Sequence, residues 1–544
     1  GWQVQPDGAK CVSVSSQGFV FGAIRAEPVR LNACPQGNGF IRKRGTSPAG
    51  TVTLGAVSLP FSTGSTSGTL DLSKASVDWS TNGGLAMTVL SDHLDLPLVI
   101  GSRTLTISGA TPRMGVATGR GAPKLSARLG ATVFDGTLVP ANVSAESFAF
   151  DGSSGQGGLS GNLNANGVLI QDYRSDPIYQ PLISDMTATL ANGQLVMTGP
   201  LRLKADGTTV ADTTINLDVV KLNGTAAIRS RPLTFRPGGL QPVMLSEKLR
   251  GVFTLAAGDA SAKADVDIVS GKLSGTGDVT IEKFGFQTTR LGRIEDVNGK
   301  VRFSDLLGLT TDRGQVVTVG SLSIGVPLTD GRIQFHLDKG KVLGVEKAGF
   351  PFAGGRIAIS PLQWTLGGKD QRVEVTADAI ELSQLVAVLK LPDVQATGTV
   401  SGTFPVDFVG SEVQVRDALL AADAKGGRIA YTGDAVNSAA DNDPNAKLAF
   451  DALKDLQFSV LEIGLSGDLM NRTVASVHLI GRNTQPLAFG KKLTMPKGQA
   501  FEFNLSLDSD LTELFKSGSY AAQQDKFVKM VVDMANDKDN RTDE

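Results

Sequence analysis

Two cysteines and three histidines are the residues with the most obvious capacity for chemistry. Cys11 and Cys34 lie on either side of a segment whose pattern is typical of a hairpin, near the start of a β-rich chain. Facing cysteines in such a position predict a disulfide bond, and two buried free thiols are the alternative. A metal site is not expected, because none of the histidines lies near either cysteine. If the bond forms, the compartment is oxidising, either periplasmic or extracellular.

The histidines do not form a catalytic pattern. His93 follows Asp92, and an aspartate can orient an imidazole for general base catalysis. His336 and His478 each lie within a run of alternating apolar and polar residues, on its polar side. All three are therefore interpreted as ordinary strand residues.

Sequence motifs of the common enzyme classes are missing from the chain. There is no HExxH, Walker lysine, CxxC or GxSxG, and the run 64–68 has Thr66 where the last motif needs serine. Carboxylate pairs such as Asp265 and Asp267 alternate with apolar residues, as on a solvated strand face. We expect no enzymatic activity, no cofactor and no metal.

The composition excludes two further classes of protein. Among the 544 residues, 52 basic and 54 acidic side chains give a net charge of −2, which leaves no basic surface for nucleic acid. No run of 18 or more apolar residues occurs, so no segment is predicted to span a bilayer as a helix. With 41% apolar and 19% charged residues the chain is predicted to fold, and its 64 glycines indicate many turns.

Alternation of apolar and polar residues with period two dominates the chain and is typical of strands with one apolar face. Turn signals such as Asn192-Gly193, Asp206-Gly207 and Asp330-Gly331 separate these strands. The spacing of strands and turns continues from about residue 50 to residue 510 without a clean break. This continuity predicts a mainly β fold: an elongated, twisted, antiparallel-rich sheet forming an open hydrophobic groove. A closed sandwich is the alternative for any one strand.

Apolar residues on alternating positions are the candidates for lining that groove. They are Val266, Ile268, Ile333, Phe335, Leu337, Ile357, Ile359, Val373, Val375, Phe404, Val406, Phe501, Phe503, Leu505 and Leu507. Short rungs that each advance about 4.7 Å along the sheet would make the groove roughly 170 Å long.

Helical period is confined to a few segments. They are Glu381 to Leu391, Pro444 to Leu456 and about Leu511 to Met534, followed by a charged tail from Asn536 to Glu544. We therefore divide the chain into a disulfide-bearing β segment at 1–48, a continuous β-groove at 49–510, and a C-terminal helix and charged tail at 511–544.

Several phrases of the sequence, mainly between residues 290 and 510, resemble the YdbH-like family, which belongs to the AsmA-like group and has TamB as a relative. They are Val297-Asn298-Gly299-Lys300-Val301-Arg302-Phe303, Gly325-Val326-Pro327-Leu328-Thr329-Asp330-Gly331, Gly427-Arg428-Ile429-Ala430-Tyr431, Leu453-Lys454-Asp455-Leu456-Gln457-Phe458-Ser459-Val460-Leu461-Glu462, Leu465-Ser466-Gly467-Asp468-Leu469, His478-Leu479-Ile480-Gly481-Arg482-Asn483 and Phe503-Asn504-Leu505.

The resemblance implies a periplasmic β-groove that conducts phospholipids between the inner and outer membranes. It also implies an N-terminal inner-membrane anchor, which this sequence lacks, and a small outer-membrane lipoprotein that continues the sheet at its C-terminal edge near Phe501 to Leu507. Two alternatives remain: a TamB-like scaffold for outer-membrane β-barrel assembly, and a polysaccharide-active or adhesive β protein. The last would need an aromatic platform, and the chain has only three Trp and four Tyr.

Overall fold

The computed structural model describes residues 3–4, 11–36, 40–44, 47–155, 158–288, 292–324, 326–366, 368, 370–389, 391, 393–410, 412–424, 426–433, 444–469, 472–489 and 493–509. The structure is 70% strand and 5% helix, and one large antiparallel sheet contains nearly all of its strands. The predicted fold class is confirmed, and the sheet does not close into a barrel. The predicted C-terminal helix and tail, 511–544, lie outside the described residues.

The N-terminal segment forms short strands that belong to the same sheet. They are β1 (Gln3–Val4), β2 (Val12–Ser16), β3 (Phe19–Phe21), β4 (Ile24–Ala26), β5 (Val29–Pro35) and β6 (Ile41–Arg44). The predicted disulfide between Cys11 and Cys34 is present, with the two Cα atoms 4.1 Å apart. The adjacent residues Val12 and Ala33 are paired in the β2–β5 ladder, so the bond joins directly opposed positions.

The next strands form an antiparallel meander. We call each passage of the chain across the sheet, from one edge to the other, a rung. Most rungs here are bent in the middle, so that one rung comprises two consecutive strands. These strands are β7 (Ser47–Leu54), β8 (Val57–Thr63), β9 (Thr66–Ser73), β10 (Ser76–Ser80), β11 (Ala86–Leu90), β12 (His93–Ile100), β13 (Arg103–Ala110), β14 (Arg113–Ala117), β15 (Lys124–Leu129), β16 (Thr132–Asp135), β17 (Asn142–Ala145), β18 (Ser147–Gly155) and β19 (Gly158–Gln171). For example, β9 and β10 form one rung and pair with β12 and β11 of the next.

The central part continues the meander with longer strands. They are β20 (Leu182–Ala191), β21 (Gln194–Leu203), β22 (Thr209–Asp218), β23 (Asn223–Ser230), β24 (Leu233–Phe235), β25 (Thr254–Val269), β26 (Lys272–Thr288), β27 (Gly292–Asp305), β28 (Thr310–Thr311), β29 (Gln315–Ile324), β30 (Val326–Asp338), β31 (Val342–Phe352), β32 (Gly355–Ile359), β33 (Leu362–Thr365) and β34 (Asp370–Glu381).

The C-terminal part of the sheet completes the meander. Its strands are β35 (Val394–Thr397), β36 (Thr399–Val409), β37 (Glu412–Ala422), β38 (Gly427–Tyr431), β39 (Leu456–Asp468), β40 (Thr473–Asn483) and β43 (Ala500–Ser509), and a separate hairpin contains β41 (Leu487–Phe489) and β42 (Leu493–Met495). From β7 onward each rung pairs with the preceding and following rungs. Roughly two dozen rungs, each advancing about 4.8 Å, give a sheet about 110 Å long. The predicted 170 Å was wrong because the rungs are longer, and therefore fewer, than expected.

The two edges of this sheet differ from β19 onward. Short turns such as 218–223, 269–272 and 338–342 form one edge, which we call the hairpin edge. The other, the loop edge, carries the helices α1 (Pro242–Leu245), α2 (Leu382–Val388) and α3 (Pro444–Leu453), a 3-10 turn (Glu247–Leu249) and the β41–β42 hairpin. Helices α2 and α3 lie where the helical period predicted them, whereas α1 was not predicted, since four residues are too few to show a period.

Residues with left-handed backbone lie in the middle of many rungs rather than at turns. Lys74, Thr111, Asp296, Asp330 and Asp417 have φ values of 47°, 46°, 53°, 56° and 51°. Such residues interrupt the ladder and bend the strand. The sheet is therefore a trough rather than a flat ribbon. The interpretation of Asp330-Gly331 as a turn was wrong, because the pair forms one of these bends inside β30.

The two edges of the trough approach each other across its mouth. The residues that meet there belong to rungs that lie several positions apart in the sheet. Near the N-terminus, the amide of Ala23, which follows β3 at the loop edge, donates to Ser154 Oγ at the hairpin edge over 3.3 Å. Further along, Arg103 at the loop edge lies against the turn at Gly271 at the hairpin edge. A Cβ added to Gly271 would lie 3.1 Å from Nε of Arg103. The sheet is thus coiled about its long axis, with apolar clusters along its inner face.

Candidate functional site

The inner face of the trough forms one large apolar cavity between β24 and β40. Its volume is about 1790 Å³, which exceeds the usual range of about 300–1,000 Å³ for small-molecule pockets. Strands place their apolar side chains there by simple alternation. In β36, Phe404 and Val406 line the cavity, whereas Thr403 is exposed on the other face.

Nine of the predicted lining residues line this cavity. They are Ile333, Phe335, Leu337, Ile357, Ile359, Val373, Val375, Phe404 and Val406. They come from four different strands whose register aligns them in rows. One row comprises Ile359, Val375 and Phe404, which are directly opposite one another in β32, β34 and β36.

The other six predicted residues lie towards the two ends of the groove, outside this cavity's lining. Val266 and Ile268 are half-buried and continue the face of β25 on which Ala260 and Ala262 line the cavity. Phe503 is buried and Phe501 packs beside it in a core cluster around α3. The backbones of Leu505 and Leu507 pair with Val477 and Ala475 of β40, and their side chains lie outside the described residues.

An aromatic cluster in the cavity was missed by the sequence analysis. Phe284 lies within edge-to-face distance of Phe235 and Phe253, with ring centroids 5.5 and 5.9 Å apart, and Phe253 lies 4.7 Å from Phe286. Phe284 and Phe286 alternate along β26 and could have been selected by period. Phe253 lies in the connection between β24 and β25, where no period exists to identify it.

Charged residues are concentrated on the outer face as cross-strand ladders. Asp278 of β26 contacts Lys263 of β25 and Lys300 of β27, each over 3.0 Å. Hydrogen bonds from Lys263 and then Lys300 lower the pKa of the Asp278 carboxyl. Asp265, considered above as half of a carboxylate pair, is paired with Arg229 of β23. These groups stabilise the ladder and face away from the cavity.

The histidines also lie beside carboxylates, His93 within its own strand β12 and His336 across to the neighbouring strand. His93 Nε2 lies 3.3 Å from Asp95 rather than being oriented by Asp92. His336 Nδ1 lies 2.9 Å from Glu346. Within the described ranges, no group of three or more His, Cys, Asp or Glu side chains is arranged to hold a metal ion.

The cavity lining contains very few charges. Lys248 and Arg250 are the only charged residues among the described residues that line it, and both lie at the loop edge. An environment so poor in polar groups cannot orient a polar substrate, but it can remove extended apolar chains from water.

A family model described as intermembrane phospholipid transport protein YdbH matches residues 124–524. The chain belongs to the YdbH-like family. The resemblance seen in the sequence between residues 290 and 510 is therefore confirmed, and the match extends N-terminally across the strands that precede the cavity. No curated protein and no solved structure was found to match the chain.

Membership of the YdbH-like family assigns the chain to a group of intermembrane lipid transport proteins. The open apolar trough is the kind of structure that this role needs. In the part of the chain that the structure describes, no helix is both long and apolar enough to span a membrane.

Proposed function

We propose that this protein shields the acyl chains of phospholipids in its groove while they cross the periplasm between the inner and outer membranes. The observation that carries the proposal is the continuous apolar lining across the strands from β24 to β40, in which the charged residues that the structure describes, Lys248 and Arg250, both lie at the loop edge. At about 0.8 kcal/mol per methylene, exposing two acyl chains to water would cost on the order of 25 kcal/mol. A trough that keeps those chains covered removes most of this cost while the headgroup stays in water at the mouth.

The remaining parts of the proposal concern the ends of the groove. An inner-membrane anchor would attach the N-terminal side, and a small outer-membrane lipoprotein would add a strand to β43, the last strand of the meander. Support for the second point is the register of β43, which pairs with β40 along one edge. Among the strands that the structure describes, none pairs with the second edge of β43, and such an edge is a template for β-augmentation.

Photocrosslinking tests the central point. A photoreactive residue at Phe335, inside the cavity, should capture phospholipid in cells, whereas one at the exposed Lys347 on the neighbouring strand should not. Mass spectrometry of the adducts identifies the lipid. Capture of unfolded outer-membrane barrel precursors at Phe335, with no lipid, would instead support the TamB-like scaffold and overturn the proposal.

A further inference from the structure

The two charged residues of the cavity lie in a short strap at its loop edge. This strap, residues 236–253, connects β24 to β25 and contains α1 and the 3-10 turn. Its apolar side chains line the cavity; they include Leu245, Leu249 and Phe253. The same segment places Lys248 and Arg250 at the rim. One strap therefore presents an apolar surface to the interior and two cations at the mouth.

Both cations have partners that an incoming anion can replace. Lys248 Nζ contacts Asp176, whose side chain is 71% exposed, and Arg250 contacts Glu247, whose side chain is 45% exposed. Because the carboxylate of each pair is exposed, water and salt screen the pair and limit its contribution to stability. Exchanging either carboxylate for another anion thus costs the fold little.

A third cation approaches from the opposite rim. Gly340, in the turn between β30 and β31, lines the cavity, and Lys341 follows it at the hairpin edge. The pKa of Asp176 is lowered first by its hydrogen bond from Lys248 and further by the positive charges of Lys248 and Lys341. Asp176 is thus exposed to positive charge from residues of both edges.

We propose that Lys248 and Arg250 bind the phosphate group of a phospholipid whose acyl chains lie in the cavity below. Ammonium and guanidinium groups make strong, charge-assisted hydrogen bonds to phosphate oxygens, and guanidinium can do so with two donors. The inference rests on the proposed function, since it assigns a headgroup site to the same groove. It implies that the groove favours lipids with a phosphate over neutral lipids with the same chains.

Binding of two fluorescent lipids with identical acyl chains, phosphatidylglycerol and diacylglycerol, tests this site in the intact chain. The double variant Lys248→Gln/Arg250→Gln should lose roughly tenfold in phosphatidylglycerol affinity, as expected for one or two lost charge-assisted hydrogen bonds. Its diacylglycerol affinity should not change. Lys74→Gln, which removes an 85%-exposed lysine outside the cavity lining, is the matched control and should bind both lipids as the natural chain does.

A second variant tests the same site in the opposite direction. Asp176→Asn removes the carboxylate that competes for Lys248, so phosphatidylglycerol affinity should rise several-fold while diacylglycerol affinity stays constant. The rise should disappear at high salt, which screens exposed charges. Misfolding exposes apolar surface and would raise the affinity for both lipids, so a salt-sensitive gain for phosphatidylglycerol alone keeps the test decisive if the double variant is unstable.

The outcomes separate this inference from the proposed function. If the natural chain and both variants bind the two lipids equally, the headgroup site is wrong and the apolar groove stands. If soluble glycerophosphate binds as tightly as phosphatidylglycerol, the site is an anion site independent of the groove, and the inference also fails. If the natural chain binds neither lipid, the proposed function fails and the headgroup site with it.

Discussion

The side chain of Phe350 occupies the space that a Cβ would need at Gly331, the residue opposite it on the neighbouring strand. A Cβ at Gly331 would lie 2.1 Å from Cε1 of Phe350. Phe350 is 1% exposed and contributes to the cavity lining. Because Gly331 has no side chain, the ring of Phe350 can cover the backbone at the bend in β30. The ring thereby keeps the inner face apolar at a point where the strand is irregular.

Substituting Gly331→Ala should loosen this part of the wall. The methyl group forces Phe350 out of its position, and such overpacking typically costs about 1–3 kcal/mol. Hydrogen exchange of the β30 and β31 amides should become faster. Gly55→Ala is the matched control, because a Cβ at Gly55 meets nothing within 4 Å. Unchanged exchange in Gly331→Ala would show that Phe350 moves aside without cost.

A charge placed inside the groove should block lipid occupancy locally. Phe404→Glu puts a carboxylate in the row formed by Ile359, Val375 and Phe404. Covering that unpaired carboxylate with a lipid chain would cost on the order of 2 kcal/mol or more of binding free energy. This cost lowers the lipid occupancy about thirtyfold. The measurement is the yield of lipid crosslinked to a photoreactive residue at Ile359.

The control for this experiment uses the adjacent residue. Thr403→Glu introduces the same charge on the exposed outer face and should leave the crosslinking yield unchanged. Equal loss in both variants would mean that the effect comes from the strand's stability rather than from the groove.

Reduction of the Cys11–Cys34 bond should loosen the N-terminal strands selectively. The cysteines are 23 residues apart, and closing a loop of that size stabilises by roughly 3 kcal/mol in the chain-entropy description. After reduction, or in the Cys11→Ser/Cys34→Ser variant, amide exchange should accelerate across β2 and β5 but not across β25 to β40. Exchange that stays equally slow with and without reductant would mean that the β2–β5 and β5–β7 ladders hold these strands without the bond.

Attachment of the last strand should weaken as pH rises. His478 of β40 lies 3.3 Å from Glu462 of β39 and 3.1 Å from Glu502 of β43, and these hydrogen bonds, Glu462 first, raise its pKa above 6.5. A raised folded-state pKa means that the stabilisation is fully present below the unfolded value and is lost as pH rises through the folded value. Amides of β43 should therefore be better protected at pH 6 than at pH 9, after correction for intrinsic exchange.

The variant His478→Gln should abolish that pH dependence. His93→Gln, at an exposed histidine beside Asp95 on a distant strand, should leave it intact. A pH dependence that survives His478→Gln would assign the effect to another group.

The sequence predicted the faces of the strands better than the shape of the sheet. Alternation is a local property, so it identified Ile333, Phe335 and Leu337 without knowledge of their neighbours. The approach of Arg103 to Gly271 depends on twist accumulated over many rungs, and no local pattern records it. Phe253 and Lys248 were missed for a related reason, since a connection that folds onto the cavity has no period.

The meander also determines how the protein can change in length. Because each rung from β7 onward is bonded to the rungs on either side, removing or inserting one hairpin would leave the cross-section of the trough unchanged and alter its span by about 10 Å. The span of the molecule is therefore adjustable in fixed increments, and evolution could match it to the width of a compartment without redesigning the wall.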